Sequence, residues 1–443
     1  MYDVVLVAFE GPDRYSFVGG LATRMIDLAE ALVDRGYFVH QLFVGDPTLP
    51  AREERSEGRL VLERWSQWIS AYHPRDVYDG EDGKWRDFSR TVPAHVADLV
   101  AASASEGRRS VLLFEDWQTA DAAIGTAAIL NIRMPGAGAI LWNANNTYGF
   151  GQIDFPLLRR AASITTVSRF MRAEMSAVDV DAAVLPNGIA ERYLKPLPPT
   201  EARPLREAFG ERPTFVKVAR FDPDKRWLWA IDAIAFMRDT GARPRLLMRG
   251  SRSPYGDIVG ARIRARGLSI ERVALPAEAV TKDLAAVVAA STADVLFLDY
   301  FIPERTLRAM YQAADGVLAN SEKEPFGLVG LEVMASGGVA YVGRTGEDYA
   351  VPFGNAVVMQ SDDPRELLAT HATLRNRPEV VRTIRADGKA TAKRFAWPRV
   401  LDGYEAAWET AFALTSSLSF CGRLPTAPAS RSSDWLGKPA VLR

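Results

Sequence analysis

Glu324 and Glu332 stand in the string EPFGLVGLE with seven residues between them. Pro325 disfavours helix at the residue before it, so Glu324 belongs on a loop. Gly327 lets backbone approach a ligand closely. The run 327–336 reads as a helix whose first N–H groups lack intrahelical partners and whose dipole is positive at that end. A helix start of this kind suits phosphate. Glu332 lies about 1.5 turns beyond Gly327 at 3.6 residues per turn, so it can face the same side as Glu324. The string follows GVLAN, residues 316–320, at the carboxyl end of an apolar strand, where open α/β sheets bind ligands. Either glutamate alone reads as a solvated surface carboxylate. The whole order of strand, loop, Glu, Pro, Phe, Gly, helix and Glu argues for a site.

A second constellation is VARFDPDKRW, residues 218–227, in which Arg220 closes a strand and Lys225 follows at a helix start. Two cations at a strand's carboxyl end can neutralise a diphosphate as it leaves. By themselves they would be an ordinary surface pair. In the first half, Gly19 and Gly20 precede a helix in SFVGGLATRM, residues 16–25, and form either an anion-friendly nest or a tight turn. Asp116 in FEDWQTAD (114–121) and Asn143 in LWNANNTYG (141–149) end two further apolar runs. Asp116 reads equally as a ligand contact or as a helix cap beside a packed Trp117.

Other features carry less. The triplets DVD (179–181) and DPD (222–224) match Asp-x-Asp by chance frequency, and GAGAI (136–140) is an incomplete dinucleotide fingerprint. His40, His73, His95 and His371 are scattered and read as structural or exposed. With one cysteine, Cys421, no disulfide framework within the chain is expected, nor a Cys/His metal cluster.

The elements that position these residues follow from hydrophobic periodicity. Residues 2–9 form an apolar first strand; Leu21, Met25, Leu28, Ala29 and Leu32 then recur at helical spacing, Gly36 can cap the helix, and 38–44 is the next strand. Strand, helix, strand is a βαβ unit with a parallel sheet. Further strands are expected at 111–115, 139–142, 163–167 and 182–186, while 46–95 reads as a polar, Trp- and Tyr-rich excursion. The proline-dense stretch 193–213 reads as a crossover between domains. A second series follows, with strands at 214–220, 243–249, 272–276, 294–300, 316–320, 338–343 and 355–359 and helices at 226–239, 281–290, 304–313 and 327–336. The last helices run from about 378 to 414, before a Ser/Pro/Gly-rich tail.

Bulk properties bound the class. At 443 residues, two domains are the better expectation. The chain is 48% hydrophobic and 25% charged, with 54 Lys+Arg against 55 Asp+Glu, which argues against nucleic acid or an anionic membrane as the main partner. The opening YDVVLVAF reads as a strand, not a signal peptide, no apolar run reaches the roughly 20 residues of a membrane span, and a cytoplasmic location is expected.

The segment SEKEPFGLVGLEVMASGGVAYVG (321–343) resembles the E-x7-E motif of retaining glycosyltransferases with the GT-B fold, family 4 and its glycogen synthase-like relatives. VARFDPDKRW is similar to the family's diphosphate-binding Arg and Lys segment, with Ala219 and Arg226 in place of its two glycines. SFVGG resembles the Gly-Gly loop after strand one, with Phe17 where a lysine commonly stands. FEDWQTAD resembles the family's HDWQTA segment, and Asn143 stands nearest to a histidine that contacts the donor sugar in relatives. TVSRFMRAEM (166–175), with Ser168 at a strand end, and LPNGIAERY (185–193) resemble two further signatures, and Phe395, Trp397 and Tyr404 resemble the family's terminal aromatic pattern.

The resemblance implies an α/β, GT-B architecture of two Rossmann-like parallel-sheet domains facing a central cleft. An acceptor domain would span 1–195, a donor domain 196–390, a helix returning to the first domain 391–415, and a flexible tail 416–443. It implies Glu324, Arg220 and Lys225 as the catalytic set, Glu332 on the nucleotide ribose, and backbone N–H groups around Phe326, Gly327 and Leu328 on the distal phosphate and sugar. Gly19, Gly20, Asp116 and Asn143 would serve the acceptor or sugar, and the loop 301–306 would lie near the base. The implied reaction is retaining, metal-independent transfer of a hexosyl unit from a nucleoside-diphosphate sugar to a saccharide or other hydroxyl acceptor, with no further cofactor. Two other readings stay open at this point: a nucleotide-sugar epimerase or sugar phosphorylase on the same architecture, and a non-catalytic nucleotide-sugar binding protein.

Overall fold

The computed structural model describes residues 2–250 and 253–420, and from 414 on its backbone only. The chain divides into two compact units: Met1–Ala144, Tyr148–Thr165 and the chain from Asp402 form the first, and Asn145–Thr147 with Thr166–Leu401 form the second.

The chain opens with β1 (Tyr2–Val7), α1 (Gly20–Asp34), β2 (Phe38–Val44), β3 (Arg52–Arg55), β4 (Leu60–Trp65), α2 (Gln67–Ser70), α3 (Glu81–Ser105) and β5 (Arg109–Glu115). It continues through α4 (Ala120–Arg133), β6 (Gly138–Ala144), α5 (Phe155–Ala161), β7 (Ser163–Thr166), α6 (Arg169–Ser176) and β8 (Ala183–Val184). The sheet order is β3-β4-β2-β1-β5-β6-β7-β8. Val4, at 0% exposure, pairs with Val39 on one side and Val111 on the other, both in parallel register. A central strand covered on both faces is apolar throughout, so Val4 to Val7 read as a continuous run.

The excursion expected over 46–95 is instead partly sheet. β4 pairs parallel with β2, and β3 pairs antiparallel with β4 as an edge. The edge strand is Arg-Glu-Glu-Arg, whose charges guard an open edge and erase the alternation that marks a strand.

The remaining elements are α7 (Glu191–Leu194), α8 (Pro199–Phe209), β9 (Thr214–Val218), α9 (Trp227–Asp239), β10 (Arg245–Arg249), α10 (Pro254–Ala265), β11 (Ile270–Val273), α11 (Thr281–Ala290) and β12 (Val295–Leu298). After them come α12 (Glu304–Ala313), β13 (Gly316–Ala319), α13 (Leu328–Ser336), β14 (Ala340–Val342), β15 (Val357–Val358), α14 (Arg365–Arg375), α15 (Pro378–Arg394) and α16 (Trp397–Phe420). The second sheet is parallel, in the order β11-β12-β10-β9-β13-β14-β15. Its core gathers Phe215, Trp227, Ile231, Leu246, Leu318 and Tyr341.

The proline-dense stretch 193–213 holds helix α8, begun by Pro199 at a first-turn position that needs no N–H. Ala202, Leu205 and Phe209 are buried, and α8 packs on α11 and α12. The Arg308 guanidinium donates to the carbonyls of Arg192 at 2.8 Å and Tyr193 at 2.9 Å, and also to that of Lys195. These bonds tie residues 192–195 to α12, and both segments lie in the second compact unit. The expected tail at 416–443 falls partly on α16, which runs to Phe420, and otherwise lies outside the described residues. Among the described residues no helix is long and apolar enough to cross a membrane.

Candidate active site

In the second sheet β9 is flanked by β10 on one side and β13 on the other. The strand order reverses at the β9–β13 pair, and the carboxyl ends of such a pair open a ligand crevice. Both C-terminal motifs leave the sheet there. Lys225 Nζ, after β9, donates to Glu324 Oε2, after β13, at 2.8 Å. About a fifth of each side chain is exposed, 22% and 19%. Arg220 is exposed on the same β9 exit, and its carbonyl accepts the Trp227 indole N–H at 2.8 Å.

Gly327 stands at the N-cap of helix α13, with φ 85 and no side-chain cap. Its first N–H groups are therefore directed outward with the positive dipole end. A Cβ at Gly327 would come within 2.7 Å of Glu347 Cγ and 2.9 Å of the Tyr349 hydroxyl, so sterics and φ both demand glycine. Phe326 is 3% exposed and stacks edge-on or tilted against Tyr349 and Phe395, at 5.8 and 6.0 Å, which fixes the loop before the helix. Leu328 is the first residue of α13, and Glu332, further along it, is half-buried. Burial holds the Tyr349 phenol well above its usual range, with Glu347, Glu324 and Glu332 adding to the effect in that order. The two motif glutamates thus share one electrostatic neighbourhood.

Sequence reasoning missed the layer beneath. The Thr345 hydroxyl accepts from Glu324 N–H at 2.8 Å and donates to the Glu324 carbonyl at 3.2 Å, while Gly346 N–H donates to that carbonyl at 2.7 Å. Glu347 accepts from the N–H groups of Gly343 and Thr345, and the Tyr349 hydroxyl donates to the Gly327 carbonyl. Burial, then the nearby Glu324, pushes the Glu347 carboxyl up to about 8. Beneath the strand ends, the fully buried Lys217 of β9 donates to the Leu318 carbonyl at 3.0 Å and to Asn320 Oδ1 at 3.2 Å. Burial brings its ammonium down to about 7, with Lys225 and Arg226 contributing.

The first unit also gathers its expected residues at strand ends. Gly19 and Gly20 follow β1, Asp116 follows β5, and Asn143 lies in β6. The Gly-Gly nest is already filled by an internal anion. Glu10 Oε2 accepts from Gly19 N–H at 3.1 Å and Ala22 N–H at 3.0 Å, and Glu10 Oε1 accepts from the Tyr78 hydroxyl. Asn143 is 5% exposed; it donates to Glu115 Oε2 at 2.9 Å and accepts from the Thr165 hydroxyl at 2.9 Å. Glu115 is in turn paired with Arg24 at 2.9 Å, and Arg24 donates to the Tyr404 hydroxyl of α16 at 2.8 Å. Asp116 holds φ 64, rare for a residue with a side chain, and its carbonyl accepts from the Trp142 indole at 3.0 Å. Trp117 is packed, at 5% exposure. Ser168 caps α6 by accepting from Met171 N–H at 3.1 Å.

No family model matches the chain. Sucrose-phosphate synthase from Thermosynechococcus elongatus superposes with TM-score 0.64 at 19% identity, over 93% of this chain and 99% of that one. The catalytic domain of starch synthase IV from Arabidopsis thaliana, bound to ADP and acarbose, superposes with TM-score 0.65 at 15% identity, over 93% and 99%. The chain has the GT-B fold. In sequence, D-inositol 3-phosphate glycosyltransferase of Thermobispora bispora is 36% identical over 107 residues. That match is 24% of this chain and 25% of the relative, so the chain matches about a quarter of that relative's length. On this GT-B fold the two motif glutamates and two cations all lie in the second unit, and Gly19, Gly20, Asp116 and Asn143 all lie in the first.

Proposed function

We propose that this chain is a retaining glycosyltransferase, moving a hexosyl unit from a nucleoside-diphosphate sugar to a saccharide or small hydroxyl acceptor without a metal. The observation that carries this reading is the meeting of Lys225 and Glu324, at 2.8 Å, beside the uncapped start of α13. The kinship of fold with synthases named for sugar products, one of them solved with ADP, supports the donor class.

The diphosphate sits on Arg220, Lys225 and the N–H groups from Phe326 to Leu328, with the ribose on Glu332. As the glycosidic bond breaks, the sugar carbon gains oxocarbenium character and the diphosphate gains charge. Once the donor is bound, two cations and a helix start meet that charge, and stabilise the transition state more than the ground state. Arrival of the diphosphate on Lys225 releases Glu324 to hydrogen-bond the sugar and hold it for attack on the same face. In the first unit, Asp116 is the residue this reading gives to the acceptor. We read the location as cytoplasmic, where a chain with one cysteine needs no disulfide.

The test is incubation with UDP-, GDP- and ADP-glucose, following diphosphate release and the anomeric proton signals by NMR. Slow hydrolysis of one donor, faster transfer with a saccharide present and a product of unchanged anomeric configuration are expected. An isomerised donor would identify an epimerase, and an untouched donor that still binds would identify a binding protein.

A further inference from the structure

The loop after β14 carries one carboxyl group, Glu347, that the chemistry above does not use. The residue is 6% exposed. Its Oε1 accepts from Gly343 N–H at 3.2 Å and its Oε2 from Thr345 N–H at 3.3 Å. Its Cγ lies 2.7 Å from where a Cβ would stand on Gly327, the residue that precedes α13. The same loop clamps the backbone of Glu324 through Thr345 and Gly346. Glu347 therefore neighbours both Gly327, which precedes α13, and the loop that carries Glu324.

The charged and titratable groups around it are mostly negative. Glu324 faces it from the loop before α13, and Tyr349 lies on its own loop. Of the nearby cations, Lys225 is committed to Glu324, and Lys217 to Leu318 and Asn320. Among the described residues no cation pairs with Glu347. An ionised Glu347, met by two backbone N–H groups and no cation, would set a negative charge near N–H groups whose task is to attract an anion.

We propose that Glu347 is a positioning residue, held as the neutral acid behind the donor loop, and that loss of its proton weakens binding of the donor diphosphate. This rests on the reading of residues 324–328 as the diphosphate and sugar site. The displacement of the carboxyl to about 8, by burial first and Glu324 second, agrees with the geometry. A carboxyl raised in this way contributes stability that is full below its unfolded value, near 4.3, and is lost as pH rises through the folded value.

Two measurements decide it. The first needs no ligand: melting temperatures of the intact protein and of Glu347→Gln across about pH 5 to 9. The amide cannot ionise, so the variant should gain on the intact protein as pH rises, up to the folded value near 8. A gap that does not change with pH means the carboxyl is ionised throughout and overturns the proposal.

The second is the Kd for UDP, GDP and ADP between about pH 7 and 9. Affinity in the intact protein should fall about tenfold, equivalent to one pKa unit of coupling, and should stay flat in Glu347→Gln. Should that variant not fold, Glu324→Gln carries the test, because removing the neighbouring charge moves the pH midpoint of the intact protein downward. A nucleotide that binds with the same pH profile in every variant overturns the role of Glu347 and leaves the donor site standing. A protein that binds no nucleotide at any pH overturns the donor reading itself, and this proposal with it.

Discussion

Lys225 Nζ lies 2.8 Å from Glu324 Oε2, although 99 positions separate the two residues. The pair draws together the ends of β9 and β13 and sets a cation and a carboxylate at the mouth of one crevice. Charge-assisted contacts to phosphate contribute about 1.5–3 kcal/mol each. Lys225→Ala should therefore weaken nucleoside-diphosphate binding by about 10- to 100-fold in isothermal titration calorimetry. Glu324→Gln should leave that affinity within about threefold and lower turnover by about 100-fold or more, the scale of losing one positioned transition-state contact.

In the proposed reading Glu332 sits on the ribose, which would separate its effect from that of the cations. Glu332→Ala should weaken a nucleoside diphosphate by about tenfold, the scale of one hydrogen bond to a charged group, and leave pyrophosphate unaffected. Competition titrations with both ligands check this. Equal losses for the two would place Glu332 elsewhere.

Gly327 combines φ 85 with a 2.7 Å approach to Glu347 Cγ. Gly327→Ala should cost about 1–2 kcal/mol from the left-handed backbone alone, more if Glu347 and Tyr349 cannot give way. The expected readouts are a lower melting temperature and loss of nucleotide-induced stabilisation.

In the first unit, Arg24 and Glu115 form an ion pair whose side chains are each 1% exposed. Removing one partner strands a buried charge, at about 3–5 kcal/mol. Glu115→Ala should lower the denaturation midpoint sharply. The double variant Arg24→Met, Glu115→Leu should recover much of that loss, as apolar replacements of buried pairs do. Denaturant titration of the single and double variants compares the two.

Sequence periodicity located most of both sheets because their central strands are covered on both faces and so read as apolar runs. The helix expected over 226–239 is observed at 227–239, and those expected at 281–290 and 304–313 are observed at those bounds. The strand, loop and helix around Glu324 were legible for a related reason: they follow one another along the chain, so their geometry is local. What the sequence hid is non-local or negative in pattern. The edge strand Arg52–Arg55 has no apolar face to announce it. Pro199 and Pro204 disguise a helix as a linker. Glu347 has no partner at a telling spacing, and only burial gives it a role. Glu10 falls just after the first expected strand with no motif to single it out, yet its carboxylate occupies the N–H groups of Gly19 and Ala22.

The central claim is a metal-free diphosphate site on Arg220, Lys225 and the start of α13. The most direct test is thermal stabilisation by UDP, GDP and ADP, each with and without EDTA, on the intact protein and on Arg220→Ala. A ligand at about 100 times its Kd adds about 2.7 kcal/mol, a readily seen shift. The account predicts that one nucleotide stabilises strongly, that EDTA changes nothing, and that Arg220→Ala loses the response. No stabilisation by any of the three, or a response abolished by EDTA, would contradict it.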